Sequence, residues 1–317
     1  MSKIYNKICI VTGGGSGIGQ SLCETLASSG ARGIYVVDIN LPSAKQTVMT
    51  QNLSSLATHP NFTSGFDVAN VGKEGDVQRV ISSAWELFGR VDVFFSNAGI
   101  FGTMGGVSEE EVSNELWEEM WHVNVMSHIY AARHLFPLWK QHKMKGTFVI
   151  TASAAGLLMQ IGVLPYHVTK HAAVAVADWL AVEHYEDGVS VHCVCPQLVR
   201  TNMMTLSMGQ LNNSGKKNES SIGDGGDDGD VYSSRDGTTK SSNDGPAGLD
   251  GIAEPKEVAL ATIKGIEDER FLVLPHPQVK KYIAGKGSDY DRWIKGMRKF
   301  KSHFGDMVKA SAPKSKL

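Results

Sequence analysis

Hydrophobic residues in the first 200 positions of the chain fall into two kinds of segment that alternate. Short runs rich in Val, Ile and Phe predict β-strands, and they cover residues 7–12, 33–38, 91–96, 147–153 and 189–195. Longer stretches with helical apolar spacing predict helices, and they cover residues 17–29, 42–57, 73–89, 116–141 and 166–187. Helices of this length suit crossovers between parallel strands. The pattern therefore predicts an α/β fold, a doubly wound parallel sheet covered on both faces.

This alternation stops after the last of these strands, where the composition of the chain changes. Residues 206–251 are rich in Gly, Ser, Asp and Asn and hold little to bury, which predicts a long, mobile, low-complexity insertion. A helix over 253–266 and a last strand over 269–275 are predicted to follow it. These two elements are too small to fold alone, so we interpret residues 1–275 as a single domain. Residues 276–317 form a basic C-terminal extension.

Composition narrows the range of possible partners. The 317 residues carry a formal net charge of −2, which gives no reason to expect nucleic acid or an anionic membrane. No apolar run approaches the roughly 20 residues that span a bilayer, and the N-terminal residues contain no signal-peptide segment. We therefore expect neither a membrane span nor export. The four cysteines fit a reducing compartment, and Cys193 and Cys195 are interpreted as buried strand residues rather than metal ligands.

A glycine-rich segment, "VTGGGSGIG", joins the first predicted strand to the first predicted helix. Gly13, Gly17 and Gly19 would make the tight turn, let the backbone approach a pyrophosphate, and let the helix pack on the strand. The helix N-terminus would supply free N–H groups for the phosphates, so Ser16 and Ile18 are also predicted cofactor contacts. A bare turn is the alternative, and the position directly after the first strand favours a dinucleotide site.

Asp38 ends the second predicted strand about 20 residues further on, where a carboxylate would accept hydrogen bonds from the adenosine ribose hydroxyls. It would also repel a 2′-phosphate, and neither the glycine loop nor residues 38–40 offer Arg or Lys to hold one. NAD is therefore predicted rather than NADP. Asp38 could instead have no role beyond ending the strand. A salt bridge is a further alternative, but the sequence shows no identifiable partner for it.

The order of the motifs along the chain resembles that of one enzyme family. T-G-x-x-x-G-x-G, then N-A-G, then a serine, then Y-x-x-x-K is similar to the short-chain dehydrogenase/reductase family. The resemblance covers about residues 7–203 and extends more loosely to 275. It implies a Rossmann-type sheet and a nicotinamide-dependent oxidoreductase.

The resemblance also separates two tyrosine–lysine pairs that share one spacing. Tyr166 precedes Lys170 by four residues, and Tyr282 precedes Lys286 by four. Ser153 stands thirteen residues before Tyr166, as in the family, whereas a glutamate occupies the corresponding position before Tyr282. The first pair is therefore the predicted catalytic one, and we expect Tyr282→Phe to change turnover little.

The resemblance assigns roles to these residues that agree with their chemistry. Tyr166 would take the hydroxyl proton of an alcohol as hydride leaves, or protonate the carbonyl oxygen in the reverse direction. The ammonium of Lys170 and the positive charge of NAD+ would lower the tyrosine pKa from about 10. Ser153 would hold the substrate oxygen and Lys170 the nicotinamide ribose, while Asn124 would hold a water that links Lys170 to solvent. The alternative is an interfacial tyrosine beside a solvated lysine, which Ser153 and Asn124 disfavour.

Further cofactor contacts follow from the resemblance alone. They are Asn97, Ala98 and Gly99 after the strand over 91–96, Asp67 and Val68 at the adenine, and Val199 and Thr201 near the carboxamide. The sequence departs from the family at Gln197, where glycine is usual, and a positive φ there would strain a glutamine. His167 and His171 are four residues apart but lack a recognisable third ligand, so no metal site is predicted.

The segments that would form the substrate side of the site are apolar. Their residues are Phe101, Met104, Leu157, Leu158, Met159, Ile161, Val163, Leu164, Met203, Met204, Leu206 and Met208. Some of these residues would belong to the core, but the remainder indicate a hydrophobic secondary alcohol or its ketone as substrate. Two alternatives stay open: an NADPH-dependent carbonyl or enoyl-type reductase of the same fold, and a non-catalytic dinucleotide-binding protein.

The final residues 315–317, Ser-Lys-Leu, match the C-terminal tripeptide that the peroxisomal import receptor reads. A basic, frayed tail and a cytoplasmic location form the alternative. The cysteine usage agrees with import from the cytosol, so the sequence predicts a peroxisomal protein. By resemblance we also expect a homo-oligomer, formed through the fourth and fifth helices or the last strand.

Overall fold

The computed structural model describes residues 2–49, 53–103, 107, 112–203 and 250–311, with side chains as far as 302. Nearly all of the predicted insertion over 206–251 lies outside the described residues, and so does the tripeptide 315–317. The predictions made for these two segments therefore stay predictions.

Seven parallel strands form one sheet in the order β3-β2-β1-β4-β5-β6-β7. The strands are β1 Ile8–Thr12, β2 Gly33–Asp38, β3 Thr63–Val68, β4 Val93–Ser96, β5 Gly146–Thr151, β6 Val189–Val194 and β7 Leu272–Val273. Cys9 of β1 pairs with Ile34 of β2 on one side and with Val93 of β4 on the other. The strand order reverses between β1 and β4, which confirms the predicted doubly wound sheet. A crevice is expected beside the carboxyl ends of the strands at this reversal.

Helices cover both faces of the sheet. They are α1 Gly17–Ser28, α2 Leu41–Met49, α3 Leu53–Leu56, α4 Glu74–Phe88, α5 Asn114–Trp121, α6 Ser127–Gln141, α7 Leu164–Glu183, α8 Pro255–Glu267, α9 Gln278–Ser288 and α10 Tyr290–Ser311. On one face, α4, α6 and α7 pack around the fully buried Trp139, whose indole N–H donates to the carbonyl oxygen of Val91 at 2.7 Å. On the other face, Leu26 of α1 and Ile263 of α8 belong to a second apolar cluster.

Two elements differ from the sequence predictions. The strand β3 was not predicted, because "TSGFDV" lies at the sheet edge, half exposed, and lacks a continuous apolar run. The helix predicted over 116–141 is divided by a π-helical turn, His122–Met126, between α5 and α6. Such turns occur frequently at functional sites, and this one contains Asn124.

The C-terminal extension is also more ordered than its sequence indicates. It holds α9 and α10, which were not predicted, and α9 contains two glycines that weaken its intrinsic helix propensity. Packing against the body of the protein therefore stabilises α9. Cys193 and Cys195 are both fully buried, which confirms their interpretation as core residues. Within the described residues, no helix has the length and apolar character needed to cross a membrane.

Candidate active site

A cleft of about 510 Å³ opens at the carboxyl ends of the strands, beside the reversal in strand order. Most of the residues predicted from the sequence line it. They are Gly13, Ser16, Gly17, Ile18, Gly19, Asp38, Asn97, Ala98, Gly99, Ser153, Tyr166, Lys170, Val199 and Thr201. The parallel sheet brings together segments that are far apart in the chain, because all of its strands end at one edge.

The glycine loop needs its glycines for two different reasons. Gly13 and Gly17 have φ angles of +65° and +52°, a backbone conformation that other residues rarely adopt. At Gly19 the reason is space, since a Cβ atom there would stand 2.0 Å from the carbonyl oxygen of Gly13. The loop is therefore closed tightly onto the start of α1, whose free N–H groups can receive phosphate oxygens.

The carboxylate of Asp38 holds the glycine loop from the end of β2. One of its oxygens accepts a hydrogen bond from the N–H of Gly15 at 2.9 Å, and the other accepts from the N–H of Asn40 at 3.0 Å. Asp38 forms no ion pair with any described cation, so the salt-bridge alternative is not found there. A carboxylate has about four acceptor positions, which leaves capacity for two ribose hydroxyls.

Thr12 joins the glycine loop to the Asn-Ala-Gly segment. Its hydroxyl oxygen accepts from the N–H of Asn97 at 2.9 Å and from the N–H of Ala98 at 3.1 Å. The side-chain amide of Asn97 returns a hydrogen bond to the Thr12 carbonyl at 3.0 Å. Thr12 opens the T-G-x-x-x-G-x-G motif, but sequence reasoning did not single it out as a site residue.

Ser153, Tyr166 and Lys170 lie together in the cleft and are buried. Ser153 ends the segment after β5 and accepts a hydrogen bond from the N–H of Ala155 at 3.1 Å, which starts a short 3-10 turn. α7 has a proline in its first turn, just before Tyr166. Lys170 follows Tyr166 by four residues, so the two side chains lie on the same side of the helix. The Phe101 ring packs against the Tyr166 ring with centroids 4.8 Å apart.

Burial is the largest cause of the pKa shifts of Tyr166 and Lys170. It raises the pKa of Tyr166 above its ordinary value of 10, and the hydrogen bond from Ser153 offsets only part of that increase. Burial also lowers the pKa of Lys170 to about 8. The Lys170 ammonium lies 5.6 Å from the centre of the Tyr166 ring and donates to the Thr151 carbonyl oxygen at 3.1 Å. The lowering of the Tyr166 pKa by Lys170 and NAD+ together stays a prediction.

Asn124 lies in the π-helical turn, is fully buried, and forms hydrogen bonds to two segments beside the site. Its side-chain oxygen accepts from the N–H of Ile100 at 2.8 Å, and its amide donates to the Ile100 carbonyl at 2.9 Å. The same amide donates to the hydroxyl of Thr169 on α7 at 3.1 Å. The side chain therefore connects the segment after β4 to α7, while its predicted water contact stays a prediction.

Asp67 and Val68 are the predicted cofactor contacts that the structure does not bring to the cleft wall. Asp67 accepts a hydrogen bond from the Arg79 guanidinium at 2.6 Å, and Val68 is exposed to solvent. The cleft wall at this point is made by the next residues along the chain, Ala69, Asn70 and Val71. β3 ends at Val68, so the residues that line the cleft come just after the strand, which family spacing alone did not indicate.

Gln197 is not strained, although the family usually has glycine at this position. Among the described residues other than glycine, positive φ occurs at Asn6, Lys143 and Glu269 only. The N–H of Gln197 donates to Nδ1 of His276 at 3.1 Å, and its amide nitrogen donates to Asp250 at 3.3 Å. The glutamine is therefore a connector between the segment after β6 and the C-terminal part of the chain.

The substrate side of the cleft is mainly apolar with a polar rim. From the predicted set, it contains Phe101, Leu158, Met159, Ile161 and Met203, and the polar Glu119, Gln160 and Asn202 also line it. Leu157, Val163 and Leu164 do not line the cleft. Met104, Met204, Leu206 and Met208 lie outside the described residues.

His167 and His171 pack against each other with ring centroids 4.3 Å apart. Nδ1 of His171 contacts the carbonyl oxygen of His167 at 3.0 Å, and Nδ1 of His167 accepts from the N–H of Gln160 at 3.3 Å. The described residues contain no group of three or more His, Cys, Asp or Glu side chains that could hold a metal ion.

Known proteins similar to this chain include several dehydrogenases. A "CLA biosynthesis dehydrogenase/reductase" of Lactiplantibacillus plantarum is 28% identical over 288 residues, covering 90% of this chain and 93% of that protein. A "cyclohexanol dehydrogenase" of an Acinetobacter species is 30% identical, covering 64% of this chain and 77% of that protein. A "2,5-dichloro-2,5-cyclohexadiene-1,4-diol dehydrogenase" of Sphingobium indicum is 32% identical, covering 66% and 78%.

Solved structures share the fold. A short-chain dehydrogenase/reductase from Burkholderia phymatum in complex with NAD has a TM-score of 0.71 and 25% identity, covering 92% of this chain and 96% of that one. Levodione reductase has a TM-score of 0.70 with 22% identity, covering 86% and 97%. The family model described as "short chain dehydrogenase" matches residues 7–210, which is more than half of the chain. With Ser153, Tyr166 and Lys170 gathered at the end of a doubly wound sheet, the chain belongs to the short-chain dehydrogenase/reductase family of oxidoreductases.

Proposed function

We propose that this oxidoreductase transfers a hydride between NAD and a hydrophobic secondary alcohol or its ketone, with Tyr166 as the general base or acid. The observation that carries the proposal is the burial of Tyr166 beside Ser153 and Lys170 in the same cleft as the glycine loop. A nicotinamide held by that loop would have its reactive ring at the catalytic end of the cleft, and the bound cofactor supplies the hydride acceptor or donor.

The chain's own residues divide the proton chemistry between them. Ser153 holds the substrate oxygen, and its hydrogen bond to the Tyr166 hydroxyl lowers the pKa of that group. Tyr166 accepts the alcohol proton during oxidation and returns it to the carbonyl oxygen during reduction. Lys170, with a pKa lowered to about 8, provides an ammonium in the same buried region and a donor for the nicotinamide ribose.

Asp38 supports the choice of NAD over NADP. Its carboxylate lines the cleft at the end of β2, where the adenosine ribose of a dinucleotide is expected. No described Arg or Lys lines the cleft apart from the catalytic Lys170, so a 2′-phosphate beside Asp38 would meet a like charge without a partner. The relative from Burkholderia phymatum, solved in complex with NAD, agrees with this choice.

The substrate class is supported by the apolar wall and by the names of the similar enzymes. Phe101, Leu158 and Met159 offer surfaces without fixed charge, and methionine adapts to differently shaped apolar groups. Two of the similar enzymes are named for cyclohexanol and for a chlorinated cyclohexadienediol as substrates. A secondary alcohol on an apolar ring or chain is therefore the class that we propose.

Incubation of the purified protein with NAD+ or NADP+ and a panel of alcohols tests the proposal. We expect the absorbance band of reduced nicotinamide to grow with NAD+ and with cyclohexanol or 2-octanol, and much less with ethanol. A preference for NADP+ would favour the alternative of an NADPH-dependent carbonyl or enoyl-type reductase. Binding of NADH without turnover of any alcohol or ketone would favour a non-catalytic dinucleotide-binding protein.

Two further proposals concern the location and the assembly of the protein. Import into peroxisomes rests on residues 315–317 and on Leu317 being the terminal residue of the protein. Microscopy of a fluorescent protein fused ahead of residue 1 tests it, and a punctate signal should become diffuse when Leu317 is deleted. We also propose a homo-oligomer because the family is typically oligomeric, and sedimentation of the purified protein measures its size.

A further inference from the structure

The C-terminal helix α9 reaches the loop that forms the substrate side of the cleft. The Nζ atom of Lys286 donates to the carbonyl oxygen of Leu157 at 2.9 Å and to that of Leu158 at 3.0 Å. These two carbonyls follow directly after the 3-10 turn Ala154–Gly156. Carbonyls at the end of a helical turn lack partners within it, and a lysine can satisfy them. Lys286 therefore caps the turn that begins at Ser153.

Apolar packing supports the same contact. Leu158 is buried, lines the cleft, and belongs to a cluster with Val279 of α9. Trp293 of α10 and Leu157 pack against this cluster. Leu158 thus faces the substrate side of the cleft and also contacts the C-terminal helices, so a shift of α9 would change the shape of the wall that meets the substrate.

A second connection leaves α9 one turn earlier, from Tyr282. Its hydroxyl donates to one oxygen of Asp250 at 2.8 Å, and the other oxygen of Asp250 accepts from the amide of Gln197 at 3.3 Å. Gln197 lines the cleft in the segment after β6. One helix therefore holds the segments that follow both β5 and β6, through a tyrosine and a lysine at four-residue spacing.

The hydrogen bonds of Lys286 go to backbone carbonyl oxygens of the loop and not to a carboxylate. It forms no ion pair with any carboxylate in the described part of the chain, and its remaining contact is with the Tyr290 ring, 5.6 Å from ammonium to centroid. His167 and His171 of α7 lie near enough for their charged forms to repel it. Two neutral carbonyl oxygens thus accept its hydrogen bonds, which is what the capping of a turn requires.

We propose that Lys286 is a positioning residue for the substrate, because its two hydrogen bonds fix the loop at Leu157 and Leu158 and so set the affinity of the cleft for a hydrophobic alcohol. Lys286 does not line the cleft and touches neither the reacting atoms nor the cofactor side. The expected effect of Lys286 on substrate affinity rests on the proposed function, whereas its contact with the loop does not depend on that function.

The test compares three variants of the full chain. Lys286→Met keeps the apolar stem and removes the donors, and Lys286→Arg restores donors of another shape. Lys281→Met is the matched control, since Lys281 is on the same helix, is exposed, and its side chain has no hydrogen bond or ion pair to a described residue. KM and kcat are measured for cyclohexanol and 2-octanol at saturating NAD+, together with NADH affinity and amide hydrogen exchange over residues 156–161.

For Lys286→Met we expect KM to rise about tenfold, because the variant loses roughly one charged hydrogen bond. We expect kcat to change less than about threefold and NADH affinity to stay unchanged. Exchange over 156–161 should become faster, and Lys286→Arg should recover most of both effects. If Lys286→Met behaves as Lys281→Met does in KM and in exchange, the proposal is overturned. A joint loss of kcat, NADH affinity and melting temperature would overturn it as well, because it would indicate general destabilisation.

Failure of the proposed function gives a different result. In that case the wild-type protein turns over none of the alcohols with either cofactor, and the exchange measurement alone decides the contact. Faster exchange over 156–161 in Lys286→Met, reversed in Lys286→Arg, would still support Lys286 as the residue that holds the loop. Unchanged exchange would refute it.

Discussion

Gly99 lies so close to Lys170 that a Cβ atom at position 99 would stand 3.3 Å from the lysine Nζ and 3.2 Å from Oδ1 of Asn124. The segment after β4 and α7 are therefore in near contact through a residue without a side chain. This relationship explains in physical terms why the Asn-Ala-Gly motif ends in glycine here. A methyl group would have to move a buried ammonium or a buried amide, and both have fixed hydrogen-bond partners.

We predict that Gly99→Ala reduces kcat by about tenfold, since a small displacement of catalytic groups is costly. Gly75→Ala is the control, because no atom outside its chain neighbours and the backbone of its own helix lies within 4 Å of the corresponding Cβ position on α4. The control should keep wild-type turnover and gain a few tenths of a kcal/mol of stability or more, as alanine favours helix over glycine. Steady-state kinetics and thermal melts of both variants provide the measurement, and equal kcat values in the two would contradict the argument.

Tyr166→Phe should lower turnover by about 10²- to 10⁴-fold, the usual contribution of general acid–base catalysis. NADH affinity should stay within about threefold of wild type, because the substitution removes an oxygen and little packing. Tyr185→Phe is the matched control, since Tyr185 is 73% exposed, follows the end of α7 and does not line the cleft. Substantial residual turnover in Tyr166→Phe would show that another group carries the proton.

Asp38→Asn should shift cofactor preference toward NADP+. The change removes the negative charge that would repel a 2′-phosphate, and it keeps an oxygen for the N–H of Gly15. We expect the ratio of kcat/KM values for NAD+ and NADP+ to fall about tenfold or more. The same ratio measured for wild type checks the starting assumption, and a wild-type preference for NADP+ would refute the role of Asp38.

His128 is predicted to make the fold sensitive to acid. Burial, and then repulsion from Lys170, lowers the pKa of this histidine from 6.5 to about 3. The unfolded chain therefore binds more protons than the folded chain between these values, and stability is lost as the pH falls from 6.5 toward 3. At pH 5 the loss from this residue is about 2 kcal/mol.

His128→Gln should remove this contribution, because glutamine cannot take up a proton. The slope of the unfolding free energy between pH 6.5 and 4.5 should be shallower in the variant than in wild type, even if the variant is less stable at neutral pH. Urea titrations across this pH range supply the slopes. Equal slopes would mean that His128 keeps an ordinary proton affinity in the folded protein.

The local patterns of the chain determined most of the sheet and part of the proposed catalytic group. Strand and helix periods depend on neighbouring residues, so β1, β2, β4, β5, β6 and the helices between them were predicted to within a few residues. Tyr166 and Lys170 are one helical turn apart, and Gly13 and Gly17 have positive φ, so these relationships are also local. The resemblance then added Ser153 and Asn124, and the partners of Asn124 are Ile100 and Thr169, which are distant in sequence.

Tertiary structure decided what depends on distant contacts. The edge strand β3 pairs with β2 without a strong apolar pattern of its own. The acceptors of Lys286 are Leu157 and Leu158, more than 120 residues earlier in the chain, so the second tyrosine–lysine pair resembled a chance match until the helix was placed. The pKa of Tyr166 likewise follows from burial by surrounding segments. Sequence patterns report the backbone path of a segment, whereas burial and hydrogen-bond partners depend on which segments the whole fold places beside it.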